Sequence, residues 1–281
     1  MDVLLAEKRG FCYGVTAAIC EAEKALQLYG QANVYALGPI IHNKQVCQKL
    51  EQAGLRVVEK LQEVPPGGVV LIRSHGVSPD VMEALQARGL ATVDATCKLV
   101  KRAQAVVGQL HEEGYRVVMI GDKDHPEVTG VVAYAPQVII VDSEDDIDRL
   151  IPERARLGIV AQTTHAPEKV GRLIGYIAAK PFREIKVVST LCMEVGRRQQ
   201  SAIDLCGKVD VMFVLGGLHS ANTRELADLC RKEGVPTYHL ENWAQFQPEM
   251  VAGRKTAGVT AGASTPEWVV QEFVEQLRLL N

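Results

Sequence analysis

Three cysteines stand in one repeated frame in this chain. Residues 8–15 (KRGFCYGV), 94–100 (DATCKLV) and 189–195 (STLCMEV) each carry Cys-x-x-Val after a small or polar turn. Each then opens a helical stretch, and a helix N-terminus favours the thiolate form of cysteine. Cys12, Cys97 and Cys192 are 85 and then 95 positions apart, a spacing that gives one cysteine to each of three similar units. Three thiolates suit zinc with a fourth ligand, or a cubane iron–sulfur cluster with one iron left open. The long spacing is unlike the paired knuckles of structural zinc, yet nearby histidines could close a zinc site, so both metals stay open. Cys20, Cys47, Cys206 and Cys230 lie on apolar faces of amphipathic stretches and read as packing residues.

Histidines follow other strand-like runs: His42 in GPIIHN, His75 in RSHGVSP, His125 in DKDHPEV and His219 in GGLHSANT. With little Lys or Arg in those loops, imidazoles and backbone amides are the groups available to bind an anion. Pro126 suits the first position of a helix, which brings Glu127 beside His125 as a candidate proton relay. Glu127 can equally be read as a charge complementing the helix end. His111, His165 and His239 read as capped or solvated loop residues. QTT at 162–164, SANT at 220–223 and GVTAGASTP at 258–266 are hydroxyl- and glycine-rich. Asn222 and Ser264 are ordinary N-cap types, and the three loops together could line a phosphate-sized site.

The elements that must position these residues alternate. Buried strands are expected at VYALG, VVLIR, RVVMIG, QVIIV, LGIVA, IKVVS, VMFVLG and TAGVT, with amphipathic helices between them, which is an α/β pattern with parallel sheets. The chain has 281 residues, 47% hydrophobic and 23% charged, with a formal net charge of −3. That balance and the absence of a Lys/Arg cluster argue against nucleic acid as a partner. No apolar run reaches the roughly 18–20 residues of a membrane span. The first residues, MDVLLAEKRG, lack the shape of a signal peptide, and the reading is a cytoplasmic chain in which disulfides are not expected.

The ordered set GFCYGV, GPIIHN, RSHGVSP, DATC, HPEVTG, QTT, CMEVGRRQ, NTREL and TAGASTP resembles the 4-hydroxy-3-methylbut-2-enyl diphosphate reductase family. The resemblance runs from Cys12 to Pro266. It implies three α/β lobes with parallel sheets in a pseudo-threefold trefoil around a central cluster. The lobes would be 14–96, 97–190 and 191–281, with 1–13 packing near the third. It implies a [4Fe-4S] cluster held by Cys12, Cys97 and Cys192, with one open iron facing the substrate hydroxyl. Glu127, Thr163 and His125 would serve proton delivery. His42, His75, Ser220, Asn222 and Ser264 would bind the diphosphate. A ferredoxin or flavodoxin would supply two electrons, and isopentenyl and dimethylallyl diphosphate would form.

Several positions depart from the family pattern. Lys98 stands where members have Pro, Glu194-Val195 where they have Ala-Thr, and His219-Ser220-Ala221-Asn222 where they have Asn-Ser-Ser-Asn. Two hydroxyls expected near the diphosphate are missing, and a carboxylate stands close by. Besides a working reductase, the residues therefore admit a paralogue acting on another small ligand. A reading of another class is a non-catalytic iron–sulfur sensor or carrier.

Overall fold

A computed structural model describes residues 1–30, 33–41 and 43–280 of the protein. Its strands are β1 Asp2–Leu5, β2 Val34–Leu37, β3 Arg56–Val58, β4 Val69–Ile72, β5 Ala91–Asp94 and β6 Arg116–Ile120, followed by β7 Ile139–Val141, β8 Arg156–Ala161, β9 Glu184–Val187, β10 Val211–Leu215, β11 Thr237–Leu240 and β12 Thr256–Ala261. Between them lie α1 Tyr13–Tyr29, α2 Lys44–Gln52, α3 Pro79–Ala87, α4 Lys98–Glu112 and α5 Pro126–Val132, then α6 Glu144–Leu150, α7 Pro167–Ala178, α8 Met193–Cys206, α9 Ala221–Lys232 and α10 Glu267–Leu279. Among the described residues no helix is long and apolar enough to cross a membrane.

Three four-stranded sheets form, and every strand pair in them is parallel. Parallel strands are buried on both faces and so read as unbroken apolar runs. The inner strands β4 (VVLI) and β10 (VMFVL) fit that pattern, with every residue buried. Edge strands are less regular, and four of them, β1, β3, β5 and β11, are absent from the strands expected from sequence. Their residues DVLL, RVV, ATVD and TYHL are short, mixed and largely half-exposed or exposed.

Starting from the strand that leads to each cysteine, the three sheet orders are β1-β12-β10-β11, β5-β4-β2-β3 and β9-β8-β6-β7. These are one topology used three times. The loop after the third strand begins alike in each: Gly38, Gly121 and Gly216 donate their N–H to Val58, Val141 and Leu240 at 3.0, 3.0 and 2.9 Å.

The chain divides into two compact units. One joins 1–16, 41–49 and the chain from Met193 on, around the β1-β12-β10-β11 sheet. Phe213, Trp243, Phe246 and Phe273 stack in its core, with the Trp243 and Phe246 rings 4.3 Å apart. The other unit holds both remaining sheets. It buries Val107, Leu110, Met119 and Val128 in one cluster and Ile120, Ile159, Leu173 and Ile177 in another. Each such side chain contributes about 1.5–3 kcal/mol when fully buried, which keeps the strand ends fixed as a platform for their loops.

Candidate functional site

Each cysteine of the repeated frame directly precedes a helix: Cys12 before α1, Cys97 at the N-cap of α4 and Cys192 before α8. Each is anchored the same way. The backbone N–H of Cys12 donates to the carbonyl of Ala263 at 3.0 Å, that of Cys97 to Ser74 at 3.0 Å and that of Cys192 to Thr163 at 2.8 Å. Ala263, Ser74 and Thr163 all stand two residues past the neighbouring strand, β12, β4 or β8. The frame seen in sequence is therefore held by backbone bonds to a second loop in each sheet.

All three cysteines are half-buried and none is in a disulfide. The Val15 N–H points at the Cys12 sulfur from 3.5 Å. Among the described residues no three or more His, Cys, Asp or Glu side chains already stand together as a metal cage. The donor chemistry nevertheless fits an iron–sulfur cluster: three half-buried thiols at helix starts, with no disulfide to break. Cys47, Cys206 and Cys230 are buried, and the last two share a hydrogen bond in one core cluster. The hydrogen bond with Cys206, together with burial, pushes the Cys230 pKa up. Cys20 corrects the expectation of packing, since it is exposed on α1.

The β9-β8-β6-β7 sheet carries the acid. His125 caps α5, its Nδ1 accepting the Glu127 N–H at 3.1 Å, and Pro126 takes the first helical position. That bond leaves the proton of a neutral ring on Nε2. Glu127 is 2% exposed. Thr163 donates twice to it, from its N–H at 2.6 Å and from its hydroxyl at 2.9 Å. Burial pushes the Glu127 pKa up, against the Thr163 bonds and a nearby charge on His165, which pull it down. A carboxyl group that holds its proton above the ordinary range is suited to general acid work.

His75 belongs to the same unit. Its ring meets that of His125 edge-on at 5.6 Å, and its carbonyl lies against Gly130 of α5. Ser74 donates its hydroxyl to Ile40 at 3.1 Å and accepts from Cys97, so it ties the turn after β2 to the cysteine. Gly76 has φ +73°, and a Cβ there would stand 2.6 Å from Gln104 Nε2, so only glycine lets this loop close. One unit thus brings together His75, His125, Glu127, Thr163, Cys97 and Cys192. His42 lies outside the described residues.

The other unit carries Cys12, Ser220, Asn222 and Ser264. Its N-cap assignments differ from expectation. Ser220, not Asn222, caps α9, accepting the Thr223 N–H at 3.4 Å and the Thr223 hydroxyl at 3.0 Å. The cap position of α10 is Pro266, and Ser264 is buried ahead of it. Freed from capping, Asn222 has a buried Nδ2 that finds no hydrogen-bond partner among the described residues. A buried amide donor without a partner is costly unless a ligand accepts from it.

The departures from the family pattern also find places. Glu194 pairs with Arg197 at 3.1 Å, which offsets its charge. Val195 is buried, so a threonine there would have to satisfy a buried hydroxyl. Lys98 and His219 are exposed. His239 is no loop residue but part of β11, its Nε2 3.0 Å from the Gly216 carbonyl, and His111 lies in the last turn of α4. His165 is capped as expected, by Asp142. Ser74 and Ala263 were not legible as site residues, because they act through backbone carbonyls that any residue supplies.

Together these features define an α/β protein whose three like sheets present thiols, a buried acid and an orphaned amide at their strand ends. Its sequence matches the LytB protein family over residues 3–278. It is 43% identical to a 4-hydroxy-3-methylbut-2-enyl diphosphate reductase of Geobacter sp. (strain M21), covering 100% of this chain and 98% of the relative. It is 40% identical to the protein of that name from Aquifex aeolicus (strain VF5), covering 99% and 96%. A solved (E)-4-hydroxy-3-methyl-but-2-enyl diphosphate reductase, described as the terminal enzyme of the non-mevalonate pathway, aligns with TM-score 0.76, 40% identity and 99% of both chains. The E-1-hydroxy-2-methyl-but-2-enyl-4-diphosphate reductase of Plasmodium falciparum aligns with TM-score 0.92 and 30% identity, over 98% of this chain and 87% of that one. The chain belongs to the LytB protein family, and with it to the iron–sulfur oxidoreductases.

Proposed function

We propose that the chain reduces 4-hydroxy-3-methylbut-2-enyl diphosphate to isopentenyl and dimethylallyl diphosphate. The observation that carries this reading is the buried Glu127–Thr163 pair, whose Thr163 carbonyl also anchors Cys192. A sensor or carrier has no use for a buried acid beside a cysteine of this kind. Cys12, Cys97 and Cys192 would hold a [4Fe-4S] cluster, which would supply the electrons and Lewis-acid activation of the substrate hydroxyl. The reaction takes two electrons and two protons, breaks one C–O bond, forms one C–H bond and releases water.

The chain's own residues handle the protons and the anion. Glu127, oriented by both donors of Thr163, would give its proton to the departing hydroxyl so that it leaves as water. His125, with its Nδ1 engaged by the Glu127 N–H, would present Nε2–H as a hydrogen-bond donor. Asn222, Ser220, Ser264, His75 and His42 would satisfy the diphosphate oxygens. A ferredoxin or flavodoxin would deliver the electrons, in the cytoplasm. The lobes would run over 14–96, 97–190 and 191–281, the last with 1–13.

An anaerobic assay with the allylic diphosphate and a strong artificial reductant tests the reading. Formation of the two five-carbon diphosphates is expected. A brown, cluster-loaded protein that leaves this substrate untouched would instead point to the paralogue.

A further inference from the structure

Ser220 has its acceptor capacity filled from inside the protein. A serine hydroxyl offers one O–H donor and two lone pairs. Thr223 occupies both lone pairs, with its N–H at 3.4 Å and its hydroxyl at 3.0 Å. The Thr223 hydroxyl is fully buried, and among the described residues Ser220 Oγ is its one hydrogen-bond partner. A buried O–H without an acceptor is costly, so Thr223 must be the donor in that pair. Among the described residues no acceptor takes the Ser220 O–H in turn.

The surrounding loops hold Thr223 in this pose. Its side chain fills the space between two glycines. A Cβ on Gly216 would stand 3.0 Å from its hydroxyl oxygen, and a Cβ on Gly262 would collide with that oxygen outright. The Leu215 carbonyl at the end of β10 accepts the Gly262 N–H at 2.8 Å and the Thr265 hydroxyl at 3.0 Å. The loops after β10 and β12 are thereby locked together with Thr223 between them. The neighbouring Asn222 Nδ2 is buried and without a partner among the described residues. Ser220 and Asn222 thus each hold an uncommitted donor.

We infer that Thr223 is a positioning residue of the anion site: by filling both lone pairs of Ser220 it obliges that hydroxyl to donate. The inference rests on the reductase reading above, which puts Ser220 on a diphosphate oxygen. A hydroxyl that rotates at will serves donors and acceptors alike. This one suits only a ligand atom that accepts, such as an ionised phosphate oxygen. Being fully buried, Thr223 acts through Ser220 rather than on the ligand. Its contribution falls on binding and not on the chemical step.

The test is calorimetric titration of inorganic diphosphate into the full-length, cluster-loaded protein. Thr223→Val keeps the branched shape and removes the donor, so the Ser220 hydroxyl regains its rotamers and binding should weaken about three- to tenfold. Thr223→Ser restores the donor and should bind like the unmodified protein. Ser220→Ala should weaken binding about tenfold or more. Adding Thr223→Val to it should weaken binding no further, because Thr223 acts only through Ser220. With the allylic diphosphate, Thr223→Val should raise KM and leave kcat unchanged. If Thr223→Val does not fold, Thr223→Ala against Thr223→Ser carries the same comparison, since the two differ by the hydroxyl alone. Unweakened binding in the variant lacking the hydroxyl, or losses that multiply in the double variant, would overturn the inference and leave the reductase reading in place. Unmodified protein that binds no diphosphate would overturn both. The expected pattern in a protein that cannot reduce the allylic diphosphate would keep the inference and remove that substrate.

Discussion

The strand-end loops of the β9-β8-β6-β7 and β1-β12-β10-β11 sheets share one skeleton and differ in what hangs on it. In both, the residue two positions past the second strand accepts the N–H of a cysteine. In the first sheet that residue is Thr163, whose hydroxyl and N–H both engage the acid of the next loop. In the second it is Ala263, which has no hydroxyl, and the loop after β10 satisfies itself through Ser220 and Thr223. That leaves Asn222 Nδ2 without a partner. The backbone scaffold repeats, while the side chains differ, with a buried acid on one sheet and an unpartnered amide on the other, which under the proposed reductase reading would serve as a proton site and an anion site. The third sheet is intermediate, since the Ser74 hydroxyl braces its neighbouring loop at the Ile40 carbonyl without meeting an acid.

The shared part of the comparison breaks most sharply at the cysteines. Cys12→Ser, Cys97→Ser and Cys192→Ser should each lose nearly all iron and sulfide, measured on anaerobically prepared protein, because hydroxyl is a poor substitute for thiolate as an iron ligand. Cys20→Ser should keep a full complement. Cys206→Ser and Cys230→Ser should also keep it, with some loss of stability from a buried hydroxyl. Stoichiometric zinc without sulfide in the unmodified protein would remove the cluster from the account.

The divergent part should separate kinetically. Glu127→Gln keeps the shape and can keep the Thr163 N–H bond, with the Thr163 hydroxyl turning to accept from the amide, but it has no acidic proton, so kcat should fall roughly 10²–10⁴-fold with little change in KM. Asn222→Ala removes one donor to an anion, worth about 1.5–3 kcal/mol, so KM should rise by about ten- to a hundredfold. Steady-state kinetics on both variants decide the matter. Equal effects on both constants in both variants would mean that the two loops form one inseparable site rather than a proton site and an anion site.

The legible part of this architecture was what depends on side-chain type. The six inner strands were readable because an inner parallel strand such as VMFVL must be apolar throughout, and two edge strands, β7 and β9, were apolar enough to be read with them. The frame Cys-x-x-Val was readable because it repeats. Edge strands such as Thr237–Leu240 were not, since a strand paired on one side needs no such pattern. Asn222 looked like a cap because its type suits one, but Ser220 sits two residues earlier and reaches the helix first. Glu194 looked like a charge aimed at the anion site, whereas one turn of helix brings Arg197 beside it. The anchoring carbonyls of Ser74, Thr163 and Ala263 leave no trace in sequence at all.

The smallest expected effect concerns the pH dependence of stability, and it sharpens the difference between the two loops. Burial raises the Glu127 pKa above that of an unfolded glutamate. The folded protein therefore keeps this proton to higher pH than the unfolded chain does. Such a group favours the folded state fully below the ordinary glutamate range, and that contribution is lost as pH rises through the folded value. Glu127→Gln cannot ionise and loses nothing. Between pH 4 and pH 8, melting temperatures of the variant should thus gain on those of the unmodified protein. A change of 1 kcal/mol moves Tm by about 2–4 °C in chains of roughly this size, so calorimetry resolves the trend. Asn222→Ala removes no titratable group and should follow the unmodified curve at a constant offset. A Glu127→Gln curve parallel to the unmodified one would show that the Thr163 bonds cancel the burial, and Glu127 would then rest ionised rather than armed as an acid.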